Sequence, residues 1–226
     1  MRVLYLRPEG SDLPSVEGID IVNISIFSVQ CLQYDETSFR DIEGIAFTSV
    51  NAVRCFHNFE EIRHMRIFSI GPETAEELVK HGFNPVYPEK HTSRDLALLL
   101  LNSGLSSVVA FRSRRASQDM KEILSPLIDY REFYDYDLVL DQSKLSEVKE
   151  LLQRCEIDVV VLTSSLIAKS VANFIKDCHK VVTIGPMTST SLRTLRPELK
   201  FIESRVSSIK GTIDVLESLR GGDNFG

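Results

Sequence analysis

Short strings of consecutive apolar residues, rich in Val and Ile, alternate along the chain with longer segments in which apolar positions recur every three or four residues. A continuous apolar string fits a strand covered on both faces, and the amphipathic segments fit the helices that cover it. The pattern therefore predicts α/β architecture built from βαβ units with parallel sheets. Strands are predicted at residues 2–6, 19–24, 44–48, 66–70, 85–87, 107–112, 158–163, 180–184 and 200–202. Helices are predicted at 51–59, 73–81, 93–101, 117–127, 144–155, 166–177, 187–195 and 207–219. Gly82 stands where a helix ending at His81 needs a left-handed residue. The stretches 27–34 and 130–140 read as extended and helix-poor, being rich in β-branched or aromatic residues.

Two motifs recur in the same order. Ile45-Ala46-Phe47-Thr48-Ser49 is echoed by Val160-Val161-Leu162-Thr163-Ser164, and Ile70-Gly71-Pro72-Glu73-Thr74 by Ile184-Gly185-Pro186-Met187-Thr188. Thr48 to Gly71 is 23 residues and Thr163 to Gly185 is 22, which argues for two related folding units. A weaker echo links Val3-Leu4-Tyr5-Leu6-Arg7 to Val109-Ala110-Phe111-Arg112. Either each basic-ended strand joins the unit that follows it, or the two middle pieces form one domain and the two outer pieces the other. The extended stretches supply the two crossings that the second arrangement needs. A duplicated α/β unit also makes an inter-domain cleft of the kind in which ligands sit.

Composition narrows the class. At 226 residues there is room for two domains of about 100 residues each. A chain that is 43% hydrophobic and 26% charged is an ordinary globular one. Its net charge of −6 argues against a nucleic-acid surface and leaves anion binding to local donors. Cys31, Cys55, Cys155 and Cys178 form no CxxC pair or metal-ligand spacing, so reduced thiols in a cytoplasmic protein are expected. No apolar run approaches a membrane span, and the first residues do not read as a signal peptide.

The recurring motifs carry the candidate chemistry. Gly-Pro-x-Thr after a buried strand is a strand-to-helix turn with proline in the first helical turn. Its remaining N–H groups, with the hydroxyl of Thr74 or Thr188, make a small anion cradle at the positive end of the helix. Glu73 would compete with a ligand carboxylate whereas Met187 would not, so Thr188 is the better contact. The bland alternative is a well-made βα turn at each place. Thr48-Ser49 and Thr163-Ser164-Ser165 end buried strands and open helices. Capping explains part of them, and donors at the carboxyl ends of strands explain the rest. Arg112-Ser113-Arg114-Arg115 offers guanidinium groups to carboxylates, with Arg7 a lone counterpart, unless these are solvated loop residues. The five histidines show no metal-ligand grouping, and no Gly-x-Gly-x-x-Gly or Walker lysine supports nucleotide binding.

Taken in order, these residues resemble uroporphyrinogen-III synthases over nearly the whole chain. The likeness rests on Leu6-Arg7-Pro8-Glu9, Phe47-Thr48-Ser49-x-Asn51-Ala52-Val53, Ile70-Gly71-Pro72-Glu73-Thr74-Ala75, Arg112, Tyr136, Leu162-Thr163-Ser164-Ser165 and Ile184-Gly185-Pro186-Met187-Thr188. It implies two similar α/β domains joined by a two-stranded linker. Domain 1 is then 1–27 with 141–226, domain 2 is 36–130, and the linker is 28–35 with 131–140. It further implies closure of hydroxymethylbilane, a linear tetrapyrrole with eight carboxylates, with inversion of the last ring and loss of water. No cofactor and no metal are implied, and a cytoplasmic monomer acting without nucleic acid or membrane is expected. Tyr136 matches the family's tyrosine as donor to the departing hydroxyl, with Tyr134 as the alternative register. Arg7, Thr48, Ser49, Gly71, Thr74, Arg112, Thr163, Ser164, Ser165, Gly185, Pro186 and Thr188 are the implied substrate contacts. The rival expectation is a non-catalytic two-domain module that binds a tetrapyrrole or another polycarboxylate.

Overall fold

The apolar strings become fully covered strands in a computed structural model that describes residues 1–7, 15–35 and 41–221. Pro8 and Glu9 of the first motif, and residues 36–40 at the expected start of the second domain, lie outside the described residues. In chain order the first elements are β1 (Arg2–Leu6), β2 (Asp20–Ile24), β3 (Phe27–Cys31), β4 (Gly44–Phe47), α1 (Val50–Cys55), β5 (Arg66–Ser69), α2 (Pro72–Lys80) and α3 (Ser93–Asn102). Then come β6 (Ser107–Ser113), α4 (Asp119–Leu124), β7 (Asp129–Leu140), α5 (Gln142–Gln153), β8 (Val159–Leu162) and α6 (Ser165–Val171). A 3₁₀ turn at Ala172–Phe174, β9 (Lys180–Thr183), α7 (Pro186–Leu195), β10 (Ile202–Glu203) and α8 (Ile209–Gly221) complete the series.

Two compact units result, Met1–Ser28 with Val139–Gly226, and Val29–Leu138. The chain therefore passes from one unit to the other within β3 and again within β7. The unit built from both chain ends holds a five-stranded sheet in the order β10-β9-β8-β1-β2. Its neighbours pair parallel, for example Tyr5 with Val161 and Val161 with Val182. The central unit holds a sheet in the order β3-β7-β6-β4-β5, parallel from β7 to β5. The stretches expected as a linker ladder are thus strands of this sheet. Leu32 N–H to Asp135 O at 2.8 Å and Asp141 N–H to Ile26 O at 2.9 Å show them running antiparallel.

Period-two alternation divides the central unit's core into two. Ile45, Phe47, Val109 and Phe111 pack on one face of the sheet, and Ala46, Val108, Ala110 and Phe68 on the other. In the other unit Val3, Tyr5, Val159, Val161 and Val182 pack against Ile213, Val215 and Leu216 of α8. The expected strand at 85–87 is only a bridge, Phe68 to Val86, and the helices expected at 51–59 and 117–127 are shorter than their apolar pattern.

The cysteines correct the expectation of reduced thiols. Cys31 of β3 is bonded to Cys55 of α1 with their Cα atoms 5.2 Å apart, and Cys155 to Cys178 with theirs 6.1 Å apart. Both separations lie in the range a disulfide requires, although the partners stand 24 and 23 residues apart in the chain.

Candidate functional site

Four helices follow strands at the repeated motifs, and they begin in two different ways. Ser49 caps α1, accepting from Ala52 N–H at 3.1 Å, and Ser164 caps α6, accepting from Ile167 N–H at 3.2 Å. These serines satisfy their own helix ends. The helices α2 and α7 start instead from Gly71 and Gly185, with proline next and no side-chain cap. Their first-turn N–H groups lack any hydroxyl or carboxylate cap, which is the arrangement that receives an anion. At α2 the turn opens on a recess of about 210 Å³ lined by Ile70, Gly71, Pro72, Glu73, Thr74 and His91. That volume takes a carboxylate arm rather than a whole drug-sized ligand.

Both glycines are held by close packing. Each has an extended backbone that any residue adopts, but a Cβ on Gly71 would stand 2.9 Å from the His91 ring, and one on Gly185 would stand 2.2 Å from Ser207 Oγ. Neither His91 nor Ser207 was marked by the sequence, since both approach from distant loops. Thr74 and Thr188 are each 3% exposed, and Thr74 still lines the recess at α2. Met187 is exposed beside Pro186, so the α7 end carries no acidic competitor, whereas α2 carries Glu73.

The remaining hydroxyls tie neighbouring strands, or the helices α6 and α7, together. Thr48 Oγ1 donates to Phe111 O at 3.3 Å, Thr163 Oγ1 to Leu6 O at 2.7 Å and Ser165 Oγ to Met187 O at 2.9 Å. Arg7, at the end of β1, is 3% exposed and its charge is felt by the buried Tyr5.

Arg112 is where the structure departs most from expectation. It is not in a solvated loop but inside β6, 1% exposed, with its guanidinium on the carboxylate of Glu132. Tyr130 donates to Glu132 Oε1 at 2.8 Å and Tyr134 to Oε2 at 2.9 Å. This cation is consumed by a buried network, because β7 brings Glu132 beside it. The network also gives the two tyrosines different surroundings. The Tyr134 proton is committed to Glu132, and burial together with that bond raises its pKa.

Tyr136 has the opposite arrangement. Ser49 Oγ donates to its phenol oxygen at 2.9 Å, so Tyr136 keeps its own proton for a further acceptor. Burial pushes its pKa up, while hydrogen bonds from Ser49 and Ser113 pull it down. Its pKa is raised on balance, so it carries its proton at neutral pH. Beside it, Asp135 is fully buried, and burial raises its carboxyl to about 8. Nothing in the local sequence marked Glu132 or Asp135, apart from the oddity of acidic residues within an aromatic strand.

Among the described residues, one set of clustered metal-ligating side chains occurs, Cys155, Cys178 and His179. Its donors are engaged, since the sulfurs are joined and the His179 ring nitrogens lie 2.8 and 3.0 Å from the carbonyl oxygens of Ile157 and Leu152.

Comparisons with known proteins bear on the family and the fold. A family profile described as uroporphyrinogen-III synthase HemD matches residues 24–207. A putative uroporphyrinogen-III synthase of Archaeoglobus fulgidus is 28% identical, over 96% of this chain and 99% of its own. The fold is that of the uroporphyrinogen-III synthetase crystal structure from Helicobacter pylori, with a TM-score of 0.71, 16% identity and 97% and 100% of the two chains covered. A mutant synthase from Thermus thermophilus superposes with a TM-score of 0.60 at 12% identity, covering 98% of this chain and 99% of that one. With the profile spanning most of its length, this chain belongs to the uroporphyrinogen-III synthase family.

Proposed function

We propose that this chain, a cyclising lyase of tetrapyrrole biosynthesis, converts hydroxymethylbilane into uroporphyrinogen III and water, inverting the terminal pyrrole ring. The bilane also closes without a catalyst, giving the uninverted ring, so the protein's task is to hold one conformation and ease departure of the hydroxyl. Tyr136 gives its hydrogen bond to that hydroxyl as the carbon–oxygen bond lengthens. The observation that carries this reading is the Ser49 hydrogen bond at 2.9 Å, in which the phenol oxygen accepts, so that Tyr136 has its own proton to give to the substrate. An uncapped helix start such as that of α2, or in the other unit that of α7, contributes about 0.3–1 kcal/mol to a bound carboxylate. No single anion contact then dominates binding. Ring closure is an elimination and addition with no change of oxidation state, so it calls for no redox cofactor.

Product-isomer analysis tests this. Freshly generated hydroxymethylbilane is supplied, the products are oxidised, and type I and type III uroporphyrins are separated. Type III in proportion to protein is expected, falling about 10–100-fold for Tyr136→Phe, the loss of one donor hydrogen bond at a leaving group. Tyr134→Phe is expected to change the rate less than about threefold. Type I alone, at the level seen without protein, would overturn the synthase reading.

A further inference from the structure

The register of β7 contains an irregularity with a direct effect on Tyr136. Arg112 pairs with Tyr134 and Ser113 pairs with Tyr136, so Asp135 is an extra residue with no partner on β6. This is a β-bulge, a device that re-aims the side chains beyond it. In an unbroken strand, residues 130, 132, 134 and 136 would share one face. Tyr130, Glu132 and Tyr134 do share a face, since all three join through the Glu132 carboxylate with Arg112. Tyr136 instead packs with Phe47 and Phe111 on the other face, in company with Phe133 before the bulge and Leu138 after it. The inserted residue is what turns the phenol away from the Glu132 network and toward Ser49.

That residue is an aspartate, and its burial is complete. Asp135 is 0% exposed, and neither carboxyl oxygen has a hydrogen-bond partner among the described residues. Its backbone carbonyl accepts from Leu32 N–H of the neighbouring strand at 2.8 Å, and its own backbone N–H offsets only part of the effect of burial on the carboxyl. A buried carboxylate without a partner is costly, so the group is held in its neutral form. Ionised, it sets a negative charge beside Tyr136, which opposes release of the phenol proton and weakens the phenol as a donor.

We propose that Asp135 is a positioning residue for the ring closure, acting uncharged through the Tyr136 that its bulge aims at Ser49. The inference rests on the reading of Tyr136 given above. The surrounding groups leave Asp135 as the one that switches. On β7, Glu132 is bound to Arg112, and Asp137 is paired with Arg115 at 2.9 Å. From β6 comes Arg112, which stays cationic. The segment beside it brings Leu32 and Cys31, whose sulfur is disulfide-bonded, and Tyr34, bonded to Asn58 at 2.8 Å. From the start of α1 comes Ser49, which does not titrate. Tyr134 and Tyr136 are both raised from their ordinary value, which takes them further from neutral pH.

The test is the pH profile of type III formation at saturating substrate. With a carboxyl near 8, kcat is expected to fall about tenfold between pH 7 and pH 9 in the unaltered protein. In Asp135→Asn, which keeps the inserted residue but cannot ionise, the ratio of the two rates is expected to stay within about twofold. Asp135→Ser gives the same readout should the amide variant not fold. The fall is also expected to vanish in Tyr136→Phe, since the charge then has no donor to act on. A fall that persists in Asp135→Asn or Asp135→Ser, while type III is still made, overturns this inference alone. A fall that persists in Tyr136→Phe overturns the action through that tyrosine. Absence of type III product from the folded unaltered protein overturns the function and this inference together.

Discussion

At the scale of single residues, the central unit holds two buried acids with opposite surroundings. Glu132 receives a guanidinium and two phenols, whereas Asp135 receives nothing. Removing one partner of the first group strands the other, so Arg112→Ala is expected to cost about 3–5 kcal/mol of stability, read by chemical denaturation. Asp135 works the other way. Its carboxyl is raised in the folded state, so between the ordinary aspartate range and about pH 8 the folded protein holds a proton that the unfolded chain has lost. This contribution to stability is therefore fully present at acid pH, declines as pH rises by up to about 1.4 kcal/mol per unit, and is gone above the folded-state value. Asp135→Asn removes that decline and is expected to be the more stable protein at pH 9. Denaturation midpoints at pH 5 and pH 9 measure both effects, and equal slopes in the two proteins would contradict the assignment.

At the scale of elements, a helix start is chosen by one residue. Serine at the N-cap closes α1 and α6 upon themselves, and glycine at the same place leaves α2 and α7 able to receive an anion. The glycines are required because His91 and Ser207 fill the space beside them. Gly185→Ala is expected to push Ser207 aside and raise KM for the bilane several-fold with a smaller change in kcat, the pattern of a lost ground-state contact. Thr188→Ala, which truncates a buried side chain under the same turn, is expected to lower stability by about 1 kcal/mol and turnover only modestly. Steady-state kinetics with both variants separates the roles, since a total loss of turnover in Thr188→Ala would contradict shared binding.

At the scale of the whole molecule, each unit carries one of the two disulfides. Each closes a loop of 24 or 23 residues, which in the chain-entropy view stabilises by about 3 kcal/mol. Reduction with a thiol is expected to lower the thermal midpoint by several degrees, measured by scanning calorimetry with and without reductant. The sequence alone determined the architecture, because buried parallel strands are written as unbroken apolar strings and a repeated motif reveals a repeated unit. It also singled out Ser49, Tyr136 and the two Gly-Pro turns as candidates, because such motifs are written in short-range order along the chain. Only the tertiary structure decided the rest. Cysteines far apart in sequence meet when β3 lies near α1. Arg112 becomes part of a buried ion pair once β7 carries Glu132 to it. Tyr136 separates from Tyr134 through a single inserted residue that alternation along one strand does not reveal, because a bulge exists only relative to the strand it pairs with. Local pattern fixes which face of an element is apolar, but which side chain meets which depends on register and crossing between segments far apart in the chain.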